Sequence, residues 1–254
     1  MSICLEIKVW EKDWELILKT SRLQKLLDAC NYDFDKKILL INNVTDAGKV
    51  FKEADRLIKN GILTEYINVA EHANEALEYF ELSKESLGSG YYYSISELVS
   101  LYLSDCEYLL HFSGDTVIAK ETAKNWLETG LKVLESEPQI KVVNLEWESN
   151  SSQNRGEMIS DDLSYWKSIG FSDQMYLVRT KDFKGKIYNH YHPDSDRYPK
   201  FAGELFEKRV DSWLRVNGFC RATLKNGRYI HRNFTNKPWK KWLSIFLNRS
   251  DLFS

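Results

Sequence analysis

The feature that most constrains this chain is the alternation of short apolar runs with helical periodicities through its first half. Ile3 to Trp10 (ICLEIKVW) alternates apolar and polar residues and predicts a strand. Trp14, Ile17, Leu18, Leu23, Leu26 and Leu27 then recur near helical spacing. Lys37 to Val44 is an apolar run closed by Asn42-Asn43, the pattern of a strand buried on both faces. Val50, Ala54, Leu57 and Ile58 predict a second helix, with Gly61 at its C-terminal end. Thr64 to Val69 reads as a third strand and Glu71 to Leu82 as a helix. Gly88-Ser89-Gly90 reads as a hinge-like loop, and Ile95 to Leu103 as a helix capped by Ser94. Cys106 to Phe112 (CEYLLHF) completes the series as a fourth strand. Strands that alternate with helices predict an α/β fold, a parallel sheet covered on both faces.

The second half is less regular. Ala119 to Ser136 predicts an amphipathic helix and Ile140 to Trp147 a strand. Glu148 to Asp162 is polar and weakly periodic, the expected place for a mobile loop. Asp173 to Arg179 predicts a strand, Asn189 to Lys200 an irregular stretch, and Gly203 to Val216 a helix. Arg221 to Leu224 and Tyr229 to His231 read as two short strand pieces, and the tail from Pro238 is basic and amphipathic. No internal repeat or linker divides the chain. The expectation is one domain over 1–236, with a nucleotide-type half at about 1–118, an elaborated half at about 119–236 and a tail over 237–254.

Composition narrows the function. Lys and Arg total 35 against 37 Asp and Glu, too few for a protein that coats duplex nucleic acid. No apolar run reaches the roughly 18 residues of a membrane span. The N-terminal residues MSICLEIKVW lack a signal-peptide pattern, so a cytoplasmic location is expected. Cys4, Cys30, Cys106 and Cys220 form no CxxC pair, which removes zinc and redox motifs and predicts four free buried thiols. No Walker A or GxGxxG fingerprint is present, and Ser89 lacks a nucleophile-elbow context.

In open α/β sheets ligands bind outside the carboxyl ends of the strands. Trp10, Glu11, Lys12 and Asp13 follow the first strand, Asn42, Asn43 and Asp46 the second, and Ser113, Gly114 and Asp115 the fourth, so all three groups converge on one edge. A single carboxylate there suits Mg²⁺ or Mn²⁺ bound mainly through phosphate oxygens. The alternative is that Asp115 only caps a turn. His190 and His192 are two apart and share a face on an extended chain, as a metal could use; a loop or packing role is the alternative. Asp194, Asp196 and Arg197 in the same stretch could meet sugar hydroxyls.

The order of elements and these motifs resembles the GT-A glycosyltransferases, in particular the family 2-like group that uses nucleotide sugars. The resemblance runs from about Ile3 to His231 and implies a Rossmann-like, mostly parallel sheet with an acceptor half elaborated on its C-terminal side. Ser113-Gly114-Asp115 stands where the family has its DxD motif, with Ser for the first Asp. It implies Mn²⁺ or Mg²⁺ on Asp115, with Ser113 reaching the ion through water and His231 as a further ligand. Gly170 to Phe183 (GFSDQMYLVRTKDF) would border the acceptor. Phe201 to Val210 (FAGELFEKRV) matches the family's acidic motif, with Leu205 where an Asp is usual. The candidate bases are then Glu204, Glu207 and Asp173, in that order. Lys12 or Arg209 would add positive charge at the diphosphate. Asn42 and Asp46 would read the nucleoside, or else only cap the next helix. Trp10 or Tyr91 to Tyr93 would stack on a ring, or else only pack.

The implied activity is metal-assisted transfer of a sugar from a UDP- or GDP-sugar to a glycan or lipid-linked saccharide, with inversion, in polysaccharide biosynthesis. The missing first Asp and Leu205 also suit a catalytically inactive nucleotide-sugar or glycan-binding protein on this fold. A nucleotidyltransferase would need a Gly-rich loop where the chain reads Trp-Glu-Lys-Asp-Trp. In the tail, Lys237, Lys240, Lys241 and Arg249 interleave with Trp239, Trp242 and Phe246, which suits peripheral contact with an anionic membrane; a packed terminal helix or a dimer contact is the alternative.

Overall fold

The computed structural model describes residues 1–148, 157–199 and 203–253. Its strands are β1 (Ile3–Val9), β2 (Lys36–Ile41), β3 (Glu65–Asn68), β4 (Tyr108–Ser113), β5 (Thr116–Ile118), β6 (Ile140–Trp147), β7 (Glu157–Asp161), β8 (Tyr165–Ile169), β9 (Met175–Arg179) and β10 (Cys220–His231). The helices are α1 (Trp14–Leu18), α2 (Arg22–Cys30), α3 (Ala47–Lys59), α4 (Val69–Tyr79), α5 (Lys84–Leu87), α6 (Tyr91–Leu103), α7 (Trp126–Ser136), α8 (Thr180–Phe183), α9 (Phe206–Val216) and α10 (Pro238–Phe246).

All strands share one sheet in the order β3-β2-β1-β4-β9-β6-β10-β8-β7, with β5 paired to the end of β10. The first half is parallel, as its alternation requires: β1 pairs in parallel with β2 and β4, and β2 with β3. The second half is mixed. β9 enters antiparallel between β4 and β6, and β8 lies antiparallel on β10. The antiparallel entry of β9 has a functional consequence. Its start lies beside the end of β4, and the Ser113 amide donates to the Gln174 carbonyl at 2.9 Å. Asp173 is thereby delivered to the same edge as Asp115. The end of β10 pairs with β5, which brings His231 opposite Thr116 and next to that edge.

Each face of the sheet carries its own core. Ile3, Leu5, Ile7 and Val9 of β1 pack with Trp126, Leu127 and Leu131 of α7 on one face, while Leu109 of β4 packs with α4, α6 and α9 on the other. Each fully buried Leu or Ile contributes roughly 1.5–3 kcal/mol. With both faces covered, no side of β1 meets solvent, so the intervening Glu6 is buried and must be partnered.

Several expectations are corrected. Residues 149–156 of the expected mobile loop lie outside the described residues, and 157–161 form a strand on β8 rather than a loop. The two short strand pieces are one strand, β10, whose register shifts between Leu224 and Arg228. The helix expected from Ala119 begins at Trp126, because Ala119 and Ala123 donate their amides to the β10 side, to Arg228 and Asn226. Gly88-Ser89-Gly90 is a 3₁₀ turn that runs directly into α6. Ser94 is therefore inside α6; its hydroxyl donates to Gly90 O and accepts from the Phe206 amide. Two of the four cysteines are not free: Cys4 and Cys106 form a disulfide that ties β1 to the approach to β4. Cys30 and Cys220 are buried thiols, as expected.

Candidate active site

β1, β2, β4, β9 and β10 bring the candidate residues to the carboxyl edge of the parallel strands. At its centre is the turn after β4. Asp115 Oδ1 lies 3.1 Å from His231 Nε2 and accepts from the Ser113 hydroxyl at 3.1 Å. Burial by itself would raise the Asp115 carboxyl, but the hydrogen bond and charge of His231, with the Ser113 hydroxyl, outweigh it and hold the group below its usual value. Gly114 has no substitute here. A Cβ would stand 2.4 Å from Ile17 Cδ1 and 2.7 Å from the Lys8 carbonyl. Its own carbonyl accepts from Arg22 Nε at 3.0 Å, which fixes the turn against α2.

Asp13 closes the β1 side. Its Oδ1 accepts from the Trp10 amide at 2.7 Å, and burial pushes its carboxyl up to about 8, with the charge of Asp115 adding to the rise. Glu11 accepts from the Thr45 amide at 2.7 Å and so joins the β1 loop to the β2 loop. Trp10 is 44% exposed, and the Lys12 ammonium sits 5.3 Å from its ring centroid. Asn42 and Asn43 both donate side-chain amides to Tyr92 O. Asp46 caps α3 through the Lys49 amide, which is the local role its sequence position also allowed. A cavity of about 110 Å³ beside them is lined by Asn42, Asn43, Asn68, Val69 and Tyr91.

On the β9 side the candidate bases separate. The Glu207 carboxylate accepts from the Asp173 amide at 2.8 Å, and Lys8 Nζ stands 4.0 Å from Asp173 Oδ2. Burial first, and then the charge of Asp173, push the Glu207 carboxyl well above its usual value. Glu207 keeps some exposure only because it lines a cavity of about 650 Å³, whose wall also holds Gln174, Tyr198, Arg221 and Tyr229. Glu204 is elsewhere. Its side chain is 46% exposed and paired with Lys208 at 2.8 Å, which also binds Asp196. Arg209 donates to the carbonyls of Tyr188 and Ser86 and so staples α9 to α5. His190 is exposed, and His192 caps the turn of Pro193–Arg197 through the Asp194 amide. Arg197 binds Asp211 at 2.9 Å. Among the described residues one cluster of three metal-type ligands occurs, Cys4, Asp105 and Cys106, and its two sulfurs are bonded to each other.

Beneath Asp173 lies a buried ionic column. Lys8 pairs with Glu97 of α6, which lies 3.7 Å from His111 Nε2, and His111 Nδ1 meets Glu6 at 2.7 Å. Ser96 donates to Glu97, Ser100 donates to Glu6, and Tyr176 stacks on His111. Burial opposes the charge of Lys8, but Glu97 and Asp173 outweigh it and hold its ammonium above the usual range. Glu97 is likewise held low, against burial, by Lys8 and His111.

No family model matches the chain, and no curated protein matches it. Solved structures do. The chain is similar to glucosyl-3-phosphoglycerate synthase from Mycobacterium tuberculosis, in a crystal structure with Mn²⁺, uridine diphosphate and glucosyl-3-phosphoglycerate, at 12% identity and a TM-score of 0.50 over 96% of this chain and 75% of that one. A crystal structure of that enzyme with phosphoglyceric acid matches at 12% identity and a TM-score of 0.50, over 100% and 80% of the two chains. A further mycobacterial protein matches at 12% identity and a TM-score of 0.52, over 100% and 76%. At such identity the shared property is the fold. The chain has the α/β fold of GT-A glycosyltransferases, with helices on both faces of its sheet.

Proposed function

We propose that this chain is a glycosyltransferase that moves a sugar from a nucleotide diphosphate sugar to the hydroxyl of a saccharide acceptor. The observation that carries the reading is the meeting, on the ligand-binding edge of this fold, of Asp115 with His231 and of Asp173 with Lys8 and Glu207. A uridine diphosphate sugar is the first donor to test, since the similar synthase was crystallised with uridine diphosphate and Mn²⁺.

Asp115 and His231 fit Mn²⁺ or Mg²⁺. They offer a hard oxygen and an imidazole nitrogen, converge within 3.1 Å and are each about a fifth exposed, which leaves room for phosphate oxygens. Such an ion would neutralise charge on the departing diphosphate. Ser113 orients Asp115, and Lys12 is the exposed cation beside the same mouth. Two carboxyl groups meet here, and burial disfavours the charged form of one of them, Glu207. Asp173, beside the Lys8 ammonium, takes the proton of the acceptor hydroxyl as it attacks the anomeric carbon. The 650 Å³ cavity beside Gln174 receives the acceptor. One such displacement inverts the anomeric centre. The setting we infer is cytoplasmic polysaccharide assembly.

The test is nucleotide release from UDP- and GDP-sugars with Mn²⁺. Asp173→Asn should slow it by about 10²–10⁴-fold, while Glu204→Gln stays near wild type. Release abolished by Glu204→Gln and untouched by Asp173→Asn would reverse the assignment. No release with any donor would leave the inactive binding protein as the better reading.

A further inference from the structure

The last helix turns its largest apolar side chains away from the domain. In a helix that packs on a domain, the apolar stripe faces the core. In α10 the stripe of Trp239, Trp242, Phe246 and Leu247 faces solvent, with exposures of 59%, 64%, 71% and 47%. The side that meets the domain holds half-buried Leu243 and Ile245 together with polar anchors. Ser244 is buried, Lys241 donates to the Lys12 carbonyl, and Asn248 just past the helix accepts from the Ser21 amide at 2.5 Å. The outward rings are already arranged as a sheet of aromatic surface, with Trp242 stacked on Phe246 at 5.3 Å and Trp239 against Phe253 at 5.7 Å.

Charge identifies what covers it. From Arg232 to Ser250 the chain carries Arg232, Lys237, Lys240, Lys241 and Arg249 and no acidic residue, in a protein of net charge -2. Asp251, paired with Arg249 at 3.7 Å, ends the run. A second copy docked face to face would set this cluster against itself, and like charges so juxtaposed are costly. Aromatic rings flanked by Lys and Arg fit the boundary between the headgroups and acyl chains of an anionic bilayer, where Trp is favoured and each cation gains from the surface potential. We infer that α10 is an interfacial helix that seats this protein on an anionic lipid surface through Trp239, Trp242, Phe246 and Leu247. Because Lys241 anchors the helix to the loop after β1, the seated face borders the mouth that holds Trp10 and Lys12. If the proposed transfer holds, its acceptor is then a saccharide carried on lipid; the seating itself does not depend on that reading.

The experiment is co-flotation of the full chain with phosphatidylcholine vesicles, with and without phosphatidylglycerol. Tryptophan emission is read in parallel, and light scattering gives the mass in solution. Binding to the anionic vesicles with a blue shift is expected, and little binding to the neutral ones. The double variant Trp242→Ser/Phe246→Ser should lose the binding and the shift. Lys240→Glu should weaken binding about fivefold or more, and high salt should act in the same direction. Trp242 and Phe246 are exposed, so unchanged circular dichroism and melting serve as the control for folding. Three results would overturn the inference: no binding to anionic vesicles, binding unchanged in the aromatic double variant, or a dimer in solution that the double variant dissociates.

Discussion

Replacing Lys8 with Met removes the cation at the head of the buried column. Glu97, Glu6 and His111 are each 0% exposed, and Lys8 itself is 17% exposed. Met matches the length of the side chain, so little packing is lost and the change isolates the charge. Without Lys8, Glu97 keeps only His111 at 3.7 Å as a countercharge, in a place where water cannot replace the lost partner. Breaking a buried pair from one side costs about 3–5 kcal/mol, and the residual exposure of Lys8 points to the lower end, about 3 kcal/mol. At roughly 2–4 °C per kcal/mol for a chain of this size, melting should fall by roughly 6–12 °C. Urea unfolding of Lys8→Met, Glu97→Gln and the double variant would measure it. The double variant should cost clearly less than the sum of the single ones, because the second change removes the charge that the first exposed. A loss below about 1 kcal/mol, the range of an exposed pair, or strict additivity would refute the column as described.

Gly114→Ala should destabilise the protein by about 1–3 kcal/mol in urea unfolding and abolish nucleotide binding, since the new methyl meets the Lys8 carbonyl at 2.7 Å; a variant as stable as wild type would mean the turn has room to move. The Glu207 carboxyl is raised by burial, so its contribution to stability is complete below the ordinary carboxylate range and is lost as pH rises through the folded value. Stability against pH should therefore decline less in Glu207→Gln than in wild type, and parallel curves would contradict a protonated Glu207. The Cys4–Cys106 bond spans 102 residues, and closing a loop of about that size is worth about 4.7 kcal/mol in the chain-entropy account. Reductant should lower melting by roughly 10 °C or more in wild type and leave Cys4→Ser/Cys106→Ser unmoved; equal melting in all samples would show that the bond does not contribute.

The legible parts of this fold are those whose signal is local. β1, β2, β4 and β6 are apolar runs between helical periodicities, and the structure has them within a few residues of the expected limits. β7 was not legible, because all five of its residues are exposed and Glu-Met-Ile-Ser-Asp carries no buried face. Ser94 looked like a cap because its partner, the Phe206 amide, is 112 residues away. In the site, Asp115 could be named from a strand end and His231 from the family resemblance, but their meeting depends on β5 and β10 pairing, which no local pattern encodes. The helix expected from Gly203 begins at Phe206, so Glu204 lies ahead of it and Glu207 on it, and the antiparallel entry of β9 sets Asp173 against Glu207. Lys8 and Glu6 carry a further local signal. A strand of a sheet covered on both faces has no solvent side, so charges in ICLEIKV had to be paired inside.

The most direct test of the central claim is calorimetric titration of uridine diphosphate into the protein, with and without Mn²⁺, for wild type and Asp115→Ala. The account predicts binding to wild type that strengthens with Mn²⁺, and loss of the Mn²⁺ dependence in Asp115→Ala. Binding in Asp115→Ala that responds to Mn²⁺ as wild type does would contradict the place given to Asp115. The absence of binding to wild type would contradict a uridine nucleotide donor altogether.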